Sequence, residues 1–174
     1  MPKLYWVASL NEVVYILRTN VDHVDPLLVI GTILAVVGTT MRCLSYRYLG
    51  EAFTLELVKA GHRAKDPAAS ARLVTNGPYT IVRHPSYTGW LIGTFGWIMV
   101  HCVEGSWIRN QSSSTLEGAI VKGFAIAWAF IFTAPFAWTL TRMPEEDAMM
   151  RRQFGEEWVR WSRRVRYWLI PFVY

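Results

Sequence analysis

Arg83 and His84 stand side by side ahead of Pro85, with Tyr79 upstream and Ser86 and Tyr87 directly after, in a chain of 174 residues. The interval 73–90, Leu-Val-Thr-Asn-Gly-Pro-Tyr-Thr-Ile-Val-Arg-His-Pro-Ser-Tyr-Thr-Gly-Trp, then runs straight into an apolar segment. Polar side chains crowded at the mouth of a hydrophobic segment are expensive to keep there and point to a site at a membrane surface. A second constellation lies in the tail, where Arg142 and Glu146 follow the charge-free stretch 123–141. If the chain is helical across Pro144, a guanidinium and a carboxylate four residues apart project from one face. Singly, each residue has a plainer role. Gly77 serves a turn, Tyr79 and Tyr87 anchor an aromatic belt, Arg83 is one more basic flank, His84 bonds a loop carbonyl, and Glu145, Glu146 and Asp147 complement a helix start. Taken with the tail, they read as one site.

The elements that must position these residues follow from composition. A hydrophobic fraction of 52% with nine Trp exceeds what a soluble domain of this size carries. The net charge of +5 comes from basic residues flanking apolar spans, which favours the lipid bilayer as partner and argues against nucleic acid. Cys43 and Cys102 sit at ends of apolar stretches without a metal-binding spacing and are expected to be packing residues, so no metal is expected.

Residues 1–25 are apolar but interrupted by Asn11, Glu12, Arg18, Asp22 and Asp25, and are expected as a surface or partly inserted segment. Three spans are expected at 26–44, 84–103 and 123–141. The charge-free core of the first covers about 24 Å, so it must borrow flanking residues. Gly31 and Gly38 lie nearly on one of its faces, where a neighbouring helix can approach closely. Pro85, Gly89, Gly93 and Gly96 predict irregularity in the second. Residues 42–83 read as a basic, cytosolic polar connection with some helix and an insertion around 62–72, and 104–122 as a nearly neutral loop on the opposite face. Arg142 to Asp147 reads as the start of a separate helix, and Met150, Phe154, Trp158 and Trp161 as an amphipathic stripe of a cytosolic tail, 142–174. The predicted fold is an all-α integral membrane protein: a single domain of about three transmembrane helices, with a C-terminal amphipathic helix completing a cofactor pocket.

The run Leu-Val-Thr-x-Gly-Pro-Tyr-x-x-x-Arg-His-Pro-Ser-Tyr-x-Gly at 73–89, with Arg142 to Glu146 and Phe154-Gly155-Glu156-Glu157-Trp158, resembles the isoprenylcysteine carboxyl methyltransferases. The similarity covers about residues 45–171. It implies an enzyme of the endoplasmic reticulum membrane, with its active site facing the cytosol. Such an enzyme methylates the C-terminal carboxylate of S-prenylated (farnesyl or geranylgeranyl) cysteine in CaaX-processed proteins. It also implies that Ala71, Arg72, Leu73, Val74, Tyr79, His84, Pro85, Ser86, Tyr87 and Glu146 bind S-adenosyl-L-methionine, and that Arg142 is the catalytic residue holding the substrate carboxylate. The chain departs from the pattern where Ala71 and Arg72 replace a histidine ahead of Leu73, and where Arg166 replaces a proline. Alternatives are a phospholipid N-methyltransferase, a sterol-reductase-like membrane enzyme, or a scaffold in which Arg142 and Glu146 merely pair. A cationic phospholipid amine would be repelled by Arg142.

Overall fold

Asp25 opens the first long helix: its side chain accepts from the Leu27 backbone N–H at 2.8 Å, and Pro26 takes the first helical position, where its missing N–H costs nothing. The structure is a computed structural model that describes residues 10, 12, 14–16, 18, 25–50, 72–104 and 106–173. Among these, every regular element is helical. In chain order they are α1 (Pro26–Leu49), a 3₁₀ turn (Gly77–Thr80), α2 (Pro85–Cys102), a single turn α3 (Trp107–Asn110), α4 (Leu116–Phe154) and α5 (Glu156–Arg164).

α1 has 24 residues, about 36 Å of helix. The helix thus borrows flanking residues past the charge-free core, and Arg42 and Arg47 lie within it. α2 is continuous despite its glycines, because Pro85 occupies the first helical turn and no irregularity follows. α4 runs for 39 residues and does not stop at Thr141. Arg142 to Asp147 is thus helix interior, not a helix start. Pro144 is tolerated there although an interior proline costs about 3 kcal/mol or more, as Pro135 is earlier in the same helix. The amphipathic stripe is likewise divided: Met150 and Phe154 end α4, Gly155 turns the chain at φ 53°, and Trp158 and Trp161 belong to α5. Positive φ is the reason glycine stands at that corner.

α1 and α4 are long and apolar enough to cross a membrane. Phe124, Ile126 and Phe130 of α4 are each about 70% exposed, and α1 turns Val29, Ile30, Ile33, Val36 and Val37 outward. Helices that are apolar all round and uncovered by protein are surfaces made for lipid. The protein is an integral membrane protein.

Contacts divide the chain into two units, Met1–Gly38 with Leu91–Pro135, and Thr39–Trp90 with Phe136–Tyr174. In the first, a Cβ on Gly31 would lie 2.9 Å from the Gly96 carbonyl oxygen, and one on Gly96 would lie 2.5 Å from that of Gly31. α1 and α2 meet there backbone to backbone, as small residues allow. Ile16, Leu28, Val100 and Val103 form the adjoining core. Glu12, expected on a surface segment, is buried: its carboxylate accepts from the Ser106 hydroxyl at 2.5 Å and the Trp107 N–H at 2.6 Å. Cys43 and Cys102 are free and exposed, so neither is the packing residue expected. The proposed insertion, apart from Arg72, lies outside the described residues.

Candidate functional site

The second unit brings both sequence constellations together, and the tail does the joining. Arg83 donates through Nε to the Val165 carbonyl at 2.8 Å, through Nη2 to the Ser162 carbonyl at 2.9 Å, and through Nη1 to Asp147 Oδ2 at 2.9 Å. Its guanidinium also lies over the Trp158 ring, 5.6 Å from the centroid. Next to it the backbone N–H groups of Arg83 and His84 donate to the carbonyls of Tyr167 and Trp168, and the Thr88 hydroxyl donates to that of Leu169. Leu73, Trp158, Trp161 and Val165 form the core underneath, with Tyr79, Met150, Phe154 and Val159 packed against it. The aromatic stripe is therefore buried against the chain's own 73–79 segment. At its edge the Trp161 indole N–H reaches the Tyr79 carbonyl at 3.3 Å.

Held this way, Glu146 becomes the centre of a small polar cluster. Its Oε1 accepts from the Tyr87 hydroxyl at 2.6 Å and lies 3.3 Å from Arg142 Nη2, while Oε2 lies 3.5 Å from His84 Nδ1. His84 Nε2 is 3.3 Å from Asp147 Oδ1 but is not aligned for a hydrogen bond, so that approach is electrostatic. The imidazole thus sits between two carboxylates and stacks on Tyr87 at 5.7 Å. Glu146 lies beyond Thr141, where the charge-free length of α4 ends, and His84 precedes α2. Burial opposes both charges, but contact with His84, Tyr87 and Arg142 holds the Glu146 carboxyl below its ordinary value. Burial likewise works against a charged His84, yet Asp147 and Glu146 overcome it and raise its pKa. Burial, with Tyr46 and Glu146 nearby, pushes the Tyr79 phenol up to about 12, so it stays a neutral donor.

Arg142 stacks over the Trp138 ring at 4.6 Å, and its Nε is buried with no hydrogen-bond partner among the described residues. A guanidinium with one pairing to Glu146 and a donor to spare can take a second anion. The spare donor and the half-buried carboxylate fit, respectively, the carboxylate of a substrate and the ammonium of an amino-acid-like cofactor.

Of the other residues singled out from sequence, Leu73 is core, Pro85 is buried, and Val74 and Ser86 are half-buried. Arg72 is exposed, and Ala71 lies outside the described residues. Two contributors were not read from the sequence as part of the site: Asp147 was read only as helix-start charge, and Arg42 only as a basic residue where the first span meets the polar connection. Arg83 was read with the site stretch, but its tie to the tail was not. Arg42 instead donates to the Ser86 carbonyl at 3.1 Å and lies over the rings of Tyr46 and Trp90 at 5.1 and 5.4 Å. Its position one helical turn before Tyr46 was the available signal, visible only once α1 is known to continue past 44.

Fold and cluster define a helical integral membrane protein with a paired guanidinium and carboxylate on a membrane-length helix, just past its charge-free stretch. A sequence model of the isoprenylcysteine carboxyl methyltransferase family matches residues 29–107. Protein-S-isoprenylcysteine O-methyltransferase B of Arabidopsis thaliana is 30% identical over 143 residues, covering 82% of this chain and 58% of the relative. The A form from the same plant is 29% identical over 143 residues, with the same 82% and 58% coverage. A delta(14)-sterol reductase of Neurospora crassa is 26% identical over 116 residues, covering 60% of this chain and 24% of the reductase. No solved structure matches. The chain spans 58% of the length of the two plant methyltransferases. The family match and these relatives agree: over much of its length the chain is similar to isoprenylcysteine carboxyl methyltransferases.

Proposed function

We propose that this protein transfers a methyl group from S-adenosyl-L-methionine to the C-terminal carboxylate of an S-prenylated cysteine, at the cytosolic face of the endoplasmic reticulum membrane. The observation that carries the reading is the gathering of Tyr87, His84 and Arg142 on the single carboxylate of Glu146. When bound, the cofactor supplies an electrophilic methyl group on a sulfonium. The chain's own residues have three tasks. Arg142 orients the substrate carboxylate, Glu146 receives the cofactor ammonium, and the aromatic walls of Tyr87 and Trp138 exclude water. No general base is needed, because a carboxylate is already ionised at neutral pH. Rate comes from alignment and desolvation. Tyr79, Leu73, Val74, Ser86 and Pro85 are assigned to the cofactor's surroundings, and the prenyl chain reaches the site from the lipid, past the three proposed spans.

The test is transfer of radiolabelled methyl to N-acetyl-S-farnesylcysteine in detergent or lipid discs. The intact protein is expected to yield base-labile label, and Arg142→Ala and Glu146→Ala to lose nearly all of it. Activity persisting in both variants overturns the residue roles. The similarity to a sterol reductase favours one second reading, a reductase-like enzyme. Isothermal calorimetry separates the two, since the methyltransferase binds adenosylhomocysteine and the reductase reading requires NADPH to bind instead.

A further inference from the structure

A cavity of about 570 Å³ opens beside the cluster, lined by Arg83, Asp147, Arg151 and Arg152 with Trp158 and Trp168 as aromatic walls. Its charge is unbalanced. Asp147 is taken by Arg83 at 2.9 Å, whereas Arg151 and Arg152 are exposed and meet no acidic side chain among the described residues. Three guanidinia against one carboxylate leave the cavity two positive charges in excess.

We propose that this cavity binds the phosphate of an anionic lipid headgroup. Arginine forks match phosphate oxygens bidentately, and indole rings sit favourably at headgroup level. Location selects a lipid over a soluble phosphate. The cavity begins at Pro144, about 5 Å along α4 from the end of the charge-free stretch at Thr141. Side chains on a helix lean toward its N-terminus, so Arg151 and Arg152 reach back along α4 toward the bilayer. A basic pocket at a helix end just outside the hydrocarbon is the setting in which headgroups are recognised. The site is separate from the Arg142 and Glu146 pair and does not depend on the methyl-transfer reading.

The experiment uses the full chain in lipid discs and reads retained lipid by native mass spectrometry. Phosphatidylglycerol is expected to be retained over phosphatidylcholine by about 30-fold, the product of two guanidinium contacts of headgroup strength. The double variant Arg151→Gln/Arg152→Gln is expected to abolish that preference with unchanged thermal unfolding. The double variant Arg163→Gln/Arg164→Gln, which removes equal charge from the exposed last turn of α5, is expected to keep it. Equal loss in both double variants would mean diffuse attraction and overturn the site. Displacement of the lipid by millimolar inorganic phosphate would make the occupant soluble, and displacement by adenosylhomocysteine would make the cavity part of the cofactor site. Either result defeats the proposal.

Discussion

Arg83→Ala should destabilise this protein more than any change at the Arg142 and Glu146 pair. The guanidinium bonds two tail carbonyls and Asp147, and the ion pair is nearly out of solvent, with side-chain exposures of 14% and 11%. Screening by water is therefore small. Removing one partner of such a pair costs about 3–5 kcal/mol, because the remaining carboxylate is left buried and the two carbonyls lose their donors. At roughly 2–4 °C per kcal/mol for a chain of this size, the unfolding midpoint should fall by about 6–20 °C. Arg83→Lys keeps the charge opposite Asp147 but cannot serve both carbonyls, so its cost should be about half. The assay is thermal unfolding in a fixed detergent, completed as a cycle with Asp147→Asn to isolate the pair. Because Val165 and Ser162 lie on the tail, limited proteolysis should also cut first beyond residue 155 in the alanine variant. A midpoint within about 2 °C of the parent, with an unchanged digestion pattern, would refute the idea that this residue ties the tail to the 73–89 segment.

Tyr87→Phe removes a 2.6 Å hydrogen bond to a carboxylate while keeping the ring. A bond to a charged acceptor is worth about 1.5–3 kcal/mol, so calorimetry should find cofactor affinity reduced about 10–100-fold, and unchanged affinity would remove Tyr87 from the site. Gly96→Val would drive a side chain into Ala35, Gly31 and Leu34 and should abolish folded protein on gel filtration, whereas Gly123→Ala, with open space around it, should be silent. Stability should peak in a pH window. Glu146 titrates below its ordinary value in the folded protein, so its contribution is present above pH 4.5 and lost as pH falls through the lowered value. His84 is raised, so its contribution is complete below pH 6.5 and lost as pH rises through the raised value. Glu146→Gln should flatten the acid limb and His84→Asn the alkaline one, as read by unfolding midpoints across pH.

The apolar stretches, the small residue Gly31 on α1, and the two motif-bearing segments were legible in the chain because each is a local property. Hydropathy marks a lipid-facing helix without reference to any partner, and Gly31 advertises a close approach whichever helix supplies it. Helix ends were misjudged where local signals compete. Pro144 with the acidic triplet after it reads as a start, yet the helix continues through it, since an unbroken helix carries Arg142 and Glu146 on one face. The end of α1 was set too early in the same way: the basic residues from Arg42 on read as the start of the polar connection, yet the helix runs on to Leu49.

What the sequence determined by itself is the class of protein and which side chains are chemically able to form a site, because hydrophobicity and ionisation belong to residues. What only the tertiary structure decided is which of those side chains meet. Arg83 and Asp147 lie 64 positions apart, and nothing in their neighbourhoods distinguishes a structural clamp from a basic flank and a helix-start acid. That distinction is made by the tail carbonyls of Ser162 and Val165, whose direction depends on the turn at Gly155 and on the burial of Trp158 and Trp161. Pairing across such distances is set by packing, and packing is a property of the folded chain alone.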